Sequence, residues 1–242
     1  MFFLWDPTMI LVIPAVLLAI WAQVKVKSAF AKYSKIGVRS GLTGAEVAER
    51  ILRGENIPVS NRPENYPGNV ACGIAAMPGR MTDHYDPRTR MLNLSEDVYY
   101  GRSIAALGIA AHEVGHAIQH ARLYGPLAIR NIIYPVCGIG SNLAFPLFFI
   151  GFVFRYGVFG VLMQVGIALF TLAVFFTFLT LPVEFNASRR ALRILSSGGY
   201  LTTDELAGAR KVLSAAALTY VAAAAMAALQ LIRMLVLARG RN

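Results

Sequence analysis

The chain is poor in charge, cysteine and histidine, and each shortage excludes something. Only 15% of its 242 residues are charged while 56% are hydrophobic, a balance too apolar for an ordinary soluble globule and one that points to a membrane. Two cysteines, Cys72 and Cys137, are too few for a disulfide framework, and the count is consistent with a reducing compartment. Acidic residues number 13 against 23 Lys and Arg, for a net charge of +10. The basic residues flank apolar runs instead of forming a tract with interleaved aromatics, which argues against nucleic acid as a partner. No basic residue precedes the first apolar run, Pro7 to Val24, whose upstream charge is Asp6 alone. It lacks the positive leading region of a cleavable signal peptide and is expected to remain as an anchor. The chain also lacks internal repeats and low-complexity linkers.

What is abundant is apolar sequence. Further candidate spans run from Ile132 to Phe154 and from Gly157 to Val183, separated only by Arg155 and Tyr156, a connection short enough to imply a helical hairpin. A fourth run, Val212 to Ala238, is Ala-rich and carries Arg233 near its end, so it either crosses with a snorkelling arginine or packs against the other helices. Lys25, Lys27, Lys32, Lys35 and Arg39 follow the first run, and Arg189, Arg190, Arg193, Arg210 and Lys211 follow the third, whereas the hairpin tip has Arg155 alone. The positive-inside rule then puts both polar segments in the cytoplasm; Arg239 and Arg241 fall outside if the fourth run crosses. The fold class expected is a mainly α membrane protein of three to four transmembrane helices. An α+β portion between residues 28 and 125 is integrated with it into one domain spanning 1–242, with a polar segment at 184–211.

Of the four histidines, three lie in AHEVGHAIQH: His112, His116 and His120. His112 and His116 are four positions apart and share one helical face, so both rings can reach a single ion. Glu113 is rotated from His112 by about 100°, which keeps it off the metal but near a water held there, in place to act as general base. Zinc suits imidazole and carboxylate ligands with one open position, where it brings the pKa of a water to about 7. A third zincin histidine six residues beyond His116 is absent, that position being Arg122. His120 cannot replace it, because it lies about 12 Å along the axis from His112 whereas a Zn–N bond is about 2 Å long. The third ligand must come from elsewhere.

Two segments compete for that role. GRMTDHYDPRTRMLNLS is expected to form two short strands, Met81 to Tyr85 and Arg90 to Leu94, around an Asp-Pro turn. Its Asp83, His84 and Asp86 are either ligands or turn-capping side chains beside an exposed histidine. The strand edge could pair with an extended peptide. The other segment is LPVEFNASRRAL, where Glu184 sits at the end of the third run. Two spans separate it from the histidine helix, so the chain returns to its starting side and the carboxylate can reach the ion. Ser188, one turn on, can hydrogen-bond beside it. Elsewhere Thr43 and Glu46 make a capping box for AEVAERILRG, with Gly54 as its stop. NIPVSNRPENYPGN is a loop, Ser95 caps a short turn, and Ser103 caps the helix bearing the histidines, which ends at Gly125 and Pro126.

Across nearly the whole chain, the segments TDHYDPRTR, LSEDVY, GRSIAALGIAAHEVGHAIQHA and LPVEFNASRRAL resemble the small bacterial membrane zinc metallopeptidases called YugP-like. The order of anchor, H-E-x-x-H, hairpin and glutamate is also similar to that of HtpX heat-shock proteases and CAAX-prenyl endopeptidases. In that wider group the glutamate opening an E-F-x-A-D motif is the third zinc ligand, so the resemblance implies that role for Glu184. The chain departs from the motif at Ser188, where the wider group has aspartate. The resemblance implies a zinc-dependent, gluzincin-like endopeptidase of the cell membrane. Its substrates would be protein or peptide, of membrane or misfolded origin, and its active site would lie at the cytoplasmic face. The alternative is a catalytically silent, zinc-stabilised membrane scaffold, and a transporter ranks last because, apart from Arg233, the spans offer no ionisable side chain suited to an ion pathway.

Overall fold

The computed structural model describes residues 6–65, 71–154 and 158–240. The expected hairpin tip at Arg155 and Tyr156, part of the loop after Asn65, and Arg241 lie outside the described residues. Among the described residues seven α-helices accompany one small sheet: α1 (Ile13–Tyr33), α2 (Gly44–Gly54), α3 (Glu96–Tyr99), α4 (Ile104–Ala121), α5 (Gly125–Val153), α6 (Val158–Ser197) and α7 (Thr203–Arg239). Four of them, α1, α5, α6 and α7, are long and apolar enough to cross a membrane. The molecule is a mainly α membrane protein with a small α+β portion.

The described residues divide into two compact units. One takes the chain up to Gln23, Ala128–Pro182, and everything from Leu218. Here α5 and α6 meet backbone to backbone. A Cβ on Gly166 would lie 2.5 Å from the Phe148 nitrogen, and one on Gly151 2.3 Å from that of Met163, so only glycine allows the approach. Arg233 does not reach for solvent. Its Nε lies 3.1 Å from Thr8 Oγ1 and its Nη2 3.5 Å from Asp6 Oδ2, while Asp6 caps the short 3-10 turn Pro7–Leu11 that leads into α1. The far end of α7 is thereby tied to the beginning of α1.

The other unit, Val24–Leu127 with Val183–Ala217, is built around α4. Leu107, Val114 and Ile118 of α4 join Val47, Ile51 and Leu52 of α2, Leu92, Leu94 and Val98, and Leu195 of α6 in one apolar core. The expected capping box is present, with Thr43 and Glu46 each satisfying the other's backbone N–H. Gly54 is the last helical residue, but the left-handed position that ends the helix belongs to Asn56, at φ 59°. Ser103 caps α4 through the Ala106 N–H, as its position suggests.

The sheet has three strands in the order β1 (Gly73–Met77), β3 (Met91–Ser95), β2 (His84–Asp86). The hairpin is β2–β3, antiparallel, with Tyr85 opposite Leu92. Both strands are displaced from the expected bounds, because Met81 and Arg90 take left-handed φ of 57° and 55° and cannot extend the ladder. β1, parallel to β3, was not expected; its GIAAM sequence has little of the β-branched or aromatic content that marks a strand. Ser95 stands before α3, yet its hydroxyl does not cap that turn and is bonded to Asp83 instead. The helix of the histidines stops at Ala121, short of Gly125, which opens α5.

Candidate metal centre

α4 places His112 and His116 on one face, and α6 crosses it with Glu184. Glycine makes the crossing possible: a Cβ on Gly115 would stand 2.8 Å from the Ala187 carbonyl oxygen and 3.1 Å from its Cα. With hydrogen there instead, the two backbones touch and Glu184 Oε2 comes within 3.3 Å of His112 Nε2 and 3.4 Å of His116 Nε2. All three residues are largely buried, and one ligand atom from each lies within 4.8 Å of the others. Donors about 2.0–2.1 Å from a tetrahedral zinc stand about 3.3–3.4 Å apart, so the two carboxylate–imidazole spacings match such an ion and the donor types suit it.

Each imidazole is also held by its far nitrogen. His112 Nδ1 lies 3.1 Å from Ser188 Oγ, one helical turn beyond Glu184, which is the contact that the spacing of Ser188 suggested. His116 Nδ1 lies 3.0 Å from Gln119 Oε1. Gln119 in turn donates to the Val183 carbonyl at 2.8 Å and to Asn186 Oδ1 at 3.0 Å, and Arg190 Nε donates to that same Oδ1 at 2.8 Å. Burial pushes the His116 pKa down, but the adjacent Glu184 outweighs it and leaves the pKa above the ordinary imidazole value. A metal at this site would therefore compete with the proton for Nε2.

Glu113 is buried with its Oε2 accepting the Tyr85 backbone N–H at 2.9 Å. The hydrogen bond joins β2, at the edge of the sheet, to the carboxylate beside the two histidines. Tyr85 continues along α4, its hydroxyl 2.7 Å from His120 Nδ1. His120 is thus paired outside the ligand cluster. The remaining hairpin candidates have structural partners. Asp83 accepts from the Ser95 N–H and hydroxyl, and burial raises its pKa against those bonds. His84 is exposed, with Nδ1 2.8 Å from the Thr82 carbonyl, and Asp86 binds Arg88. Cys72 is no rival either, since burial pushes its thiol up to about 12.

Among the described residues the arrangement brings together His112, His116 and Glu184, with Glu113 beside them, and leaves Asp83, His84, Asp86 and His120 apart. Gln119, Asn186 and the Tyr85 backbone were not singled out in the sequence. A lone glutamine one turn after a candidate ligand, in an otherwise apolar stretch, was the available signal for the first.

Two imidazoles and a carboxylate converging in a chain with four membrane-length helices make an arrangement suited to metal-assisted hydrolysis at a membrane. The chain belongs to the family described as "Putative neutral zinc metallopeptidase", whose model matches residues 8–239. It is similar to the "Putative membrane protease YugP" of Bacillus subtilis (strain 168), with 48% identity over 233 residues that cover 96% of this chain and 97% of that protein. No solved structure matches the chain at a significant level. The protein is therefore a membrane-associated zinc metallopeptidase by family.

Proposed function

We propose that the chain is a gluzincin-like endopeptidase of the cell membrane. His112, His116 and Glu184 would hold zinc, Glu113 would serve as general base, and the site would face the cytoplasm. The observation that carries the reading is the convergence of both Nε2 atoms on one Glu184 oxygen at 3.3 and 3.4 Å. Zinc bound there supplies Lewis acidity, lowering the pKa of a water to about 7 and polarising a peptide carbonyl. Glu113 takes the proton from the attacking water and delivers it to the departing amine as the C–N bond breaks. The Tyr85 N–H keeps that carboxylate aimed, while Ser188 and Gln119 hold the imidazoles. A metal-stabilised scaffold has no use for a carboxylate in the position of Glu113.

The chain acts as one domain, a reading supported by α1, α6 and α7, each of which contributes residues to both compact units. Its substrates are protein or peptide chains, of membrane or misfolded origin, since the site is borne by a chain anchored in the bilayer. The test is zinc content together with digestion of an unfolded substrate by the purified protein. Glu113→Gln should retain zinc and lose proteolysis by about 10²–10⁴-fold. Glu184→Ala should lose most of its zinc, and His84→Ala should keep it. Digestion by zinc-loaded Glu113→Gln overturns the mechanism; full zinc in Glu184→Ala with loss in His84→Ala moves the third ligand to the hairpin.

A further inference from the structure

Gln119 is a polar side chain with no exposed surface in an otherwise apolar stretch of α4, and every hydrogen-bonding group it has is used. Its Nε2 faces two oxygens, the Val183 carbonyl at 2.8 Å and Asn186 Oδ1 at 3.0 Å. A main-chain carbonyl can only accept, so the amide nitrogen must be on that side and Oε1 must face His116. The Asn186 amide is oriented in the same way, because Arg190 Nε, which can only donate, meets its Oδ1 at 2.8 Å. The chain of donors and acceptors then has one solution at its end. Gln119 Oε1 accepts, His116 Nδ1 carries the hydrogen, and the lone pair is left on Nε2, the nitrogen 3.4 Å from Glu184.

We infer that Gln119 is the positioning residue of the metal centre: anchored to the Glu184-bearing helix, it fixes the tautomer and ring orientation of His116 and keys α4 to α6. The inference rests on the zinc reading above and adds a function for a residue outside the H-E-x-x-H pattern. Two physical consequences follow. Both imidazoles are held by neutral oxygens, Ser188 and Gln119, so no carboxylate behind either ring adds negative charge to the ligands. And the groups that anchor Gln119 come from the segment carrying Glu184, so a displacement of α6 would disturb both Glu184 and the support of His116.

The two arms of Gln119 are separable. Gln119→Leu keeps the volume and removes both. Gln119→Glu keeps an acceptor for His116 Nδ1 but places a carboxylate against the Val183 carbonyl. Zinc affinity is read by competition with a chromophoric chelator, and thermal unfolding of the metal-free protein is read separately. Gln119→Leu is expected to bind zinc about 10–100-fold more weakly than the native protein. Gln119→Glu is expected to restore affinity to the native level or beyond while unfolding at lower temperature than native. Native affinity in a folded Gln119→Leu overturns the inference, as does equal weakening in both variants, which would make Gln119 a packing residue. Failure of the native protein to bind zinc is a different result and overturns the metal reading itself.

Discussion

His120 and Tyr85 form a pair, 2.7 Å apart, on the flank of α4 that follows the face bearing His112 and His116. Burial holds the imidazole below its ordinary pKa of 6.5, and the Arg90 guanidinium adds to the effect. The folded protein therefore prefers His120 neutral. A depressed folded-state pKa means that the unfolded chain binds the proton more readily, so His120 costs no stability above pH 6.5. The penalty grows as pH falls through that value and is complete below the folded-state pKa. Because His120 lies off the ligand cluster, His120→Gln should unfold at nearly the native temperature at pH 7.5 and lose less of it than the native protein on acidification to about pH 5.5. Equal acid sensitivity of the two proteins in paired thermal melts would show that other groups carry it.

At the scale of elements, the approach of α4 to α6 is set by one missing methyl group. Gly115→Ala would put carbon 2.8 Å from the Ala187 oxygen, a backbone atom that cannot swing aside, so the helices must separate by several tenths of an ångström. Overpacking of this kind costs about 1–3 kcal/mol. Glu184 also recedes from both imidazoles. Melting temperature and zinc affinity should fall together in this variant, whereas Gly138→Ala on α5, where a Cβ meets nothing within 4 Å, should change neither. The β-hairpin has a parallel device. Asp83 bonds to the backbone and the hydroxyl of Ser95 at 2.7 and 2.9 Å, and this holds the turn closed so that Tyr85 can present its N–H to Glu113.

For the molecule as a whole, the Arg233–Asp6 contact bears on whether the fourth apolar helix crosses. Asp6 precedes α1 and Arg233 lies in the last turns of α7, so the start of α1 and the end of α7 meet within one unit. At the other ends of these helices, in the other unit, the Arg39 N–H donates to Glu205 at 2.6 Å. The first contact ties α7 to the start of α1 within one unit, and the second ties α7 to the chain after α1 within the other. With the catalytic unit in the cytoplasm and α7 crossing, Arg239 would fall outside, a mild breach of the positive-inside rule. With Cys72 and Cys137 replaced, Ser40→Cys is expected to resist a membrane-impermeant thiol reagent in intact cells and to react after lysis. Arg239→Cys should react in intact cells. The reverse pattern would put the catalytic unit outside.

The sequence by itself determined whatever depends on spacing along one segment. Charge-free runs were legible as membrane helices, Thr43 and Glu46 as a capping box, and His112, Glu113 and His116 as one helical face, because a helix repeats every 3.6 residues wherever it sits. Reach was legible too, since two spans had to bring Glu184 back to the side of the histidines. What only the tertiary structure decided is which distant groups meet. GIAAM became a strand because β3 lay beside it, and its own propensity gave no such signal. Asp83 became the partner of Ser95, while Glu184 came to stand with the two histidines. Gln119 acquired its function from a carbonyl 64 positions away on another helix, at 2.8 Å. Such contacts depend on how closely two backbones pack, here on the absence of a Cβ at Gly115, and no periodicity within either segment encodes that distance.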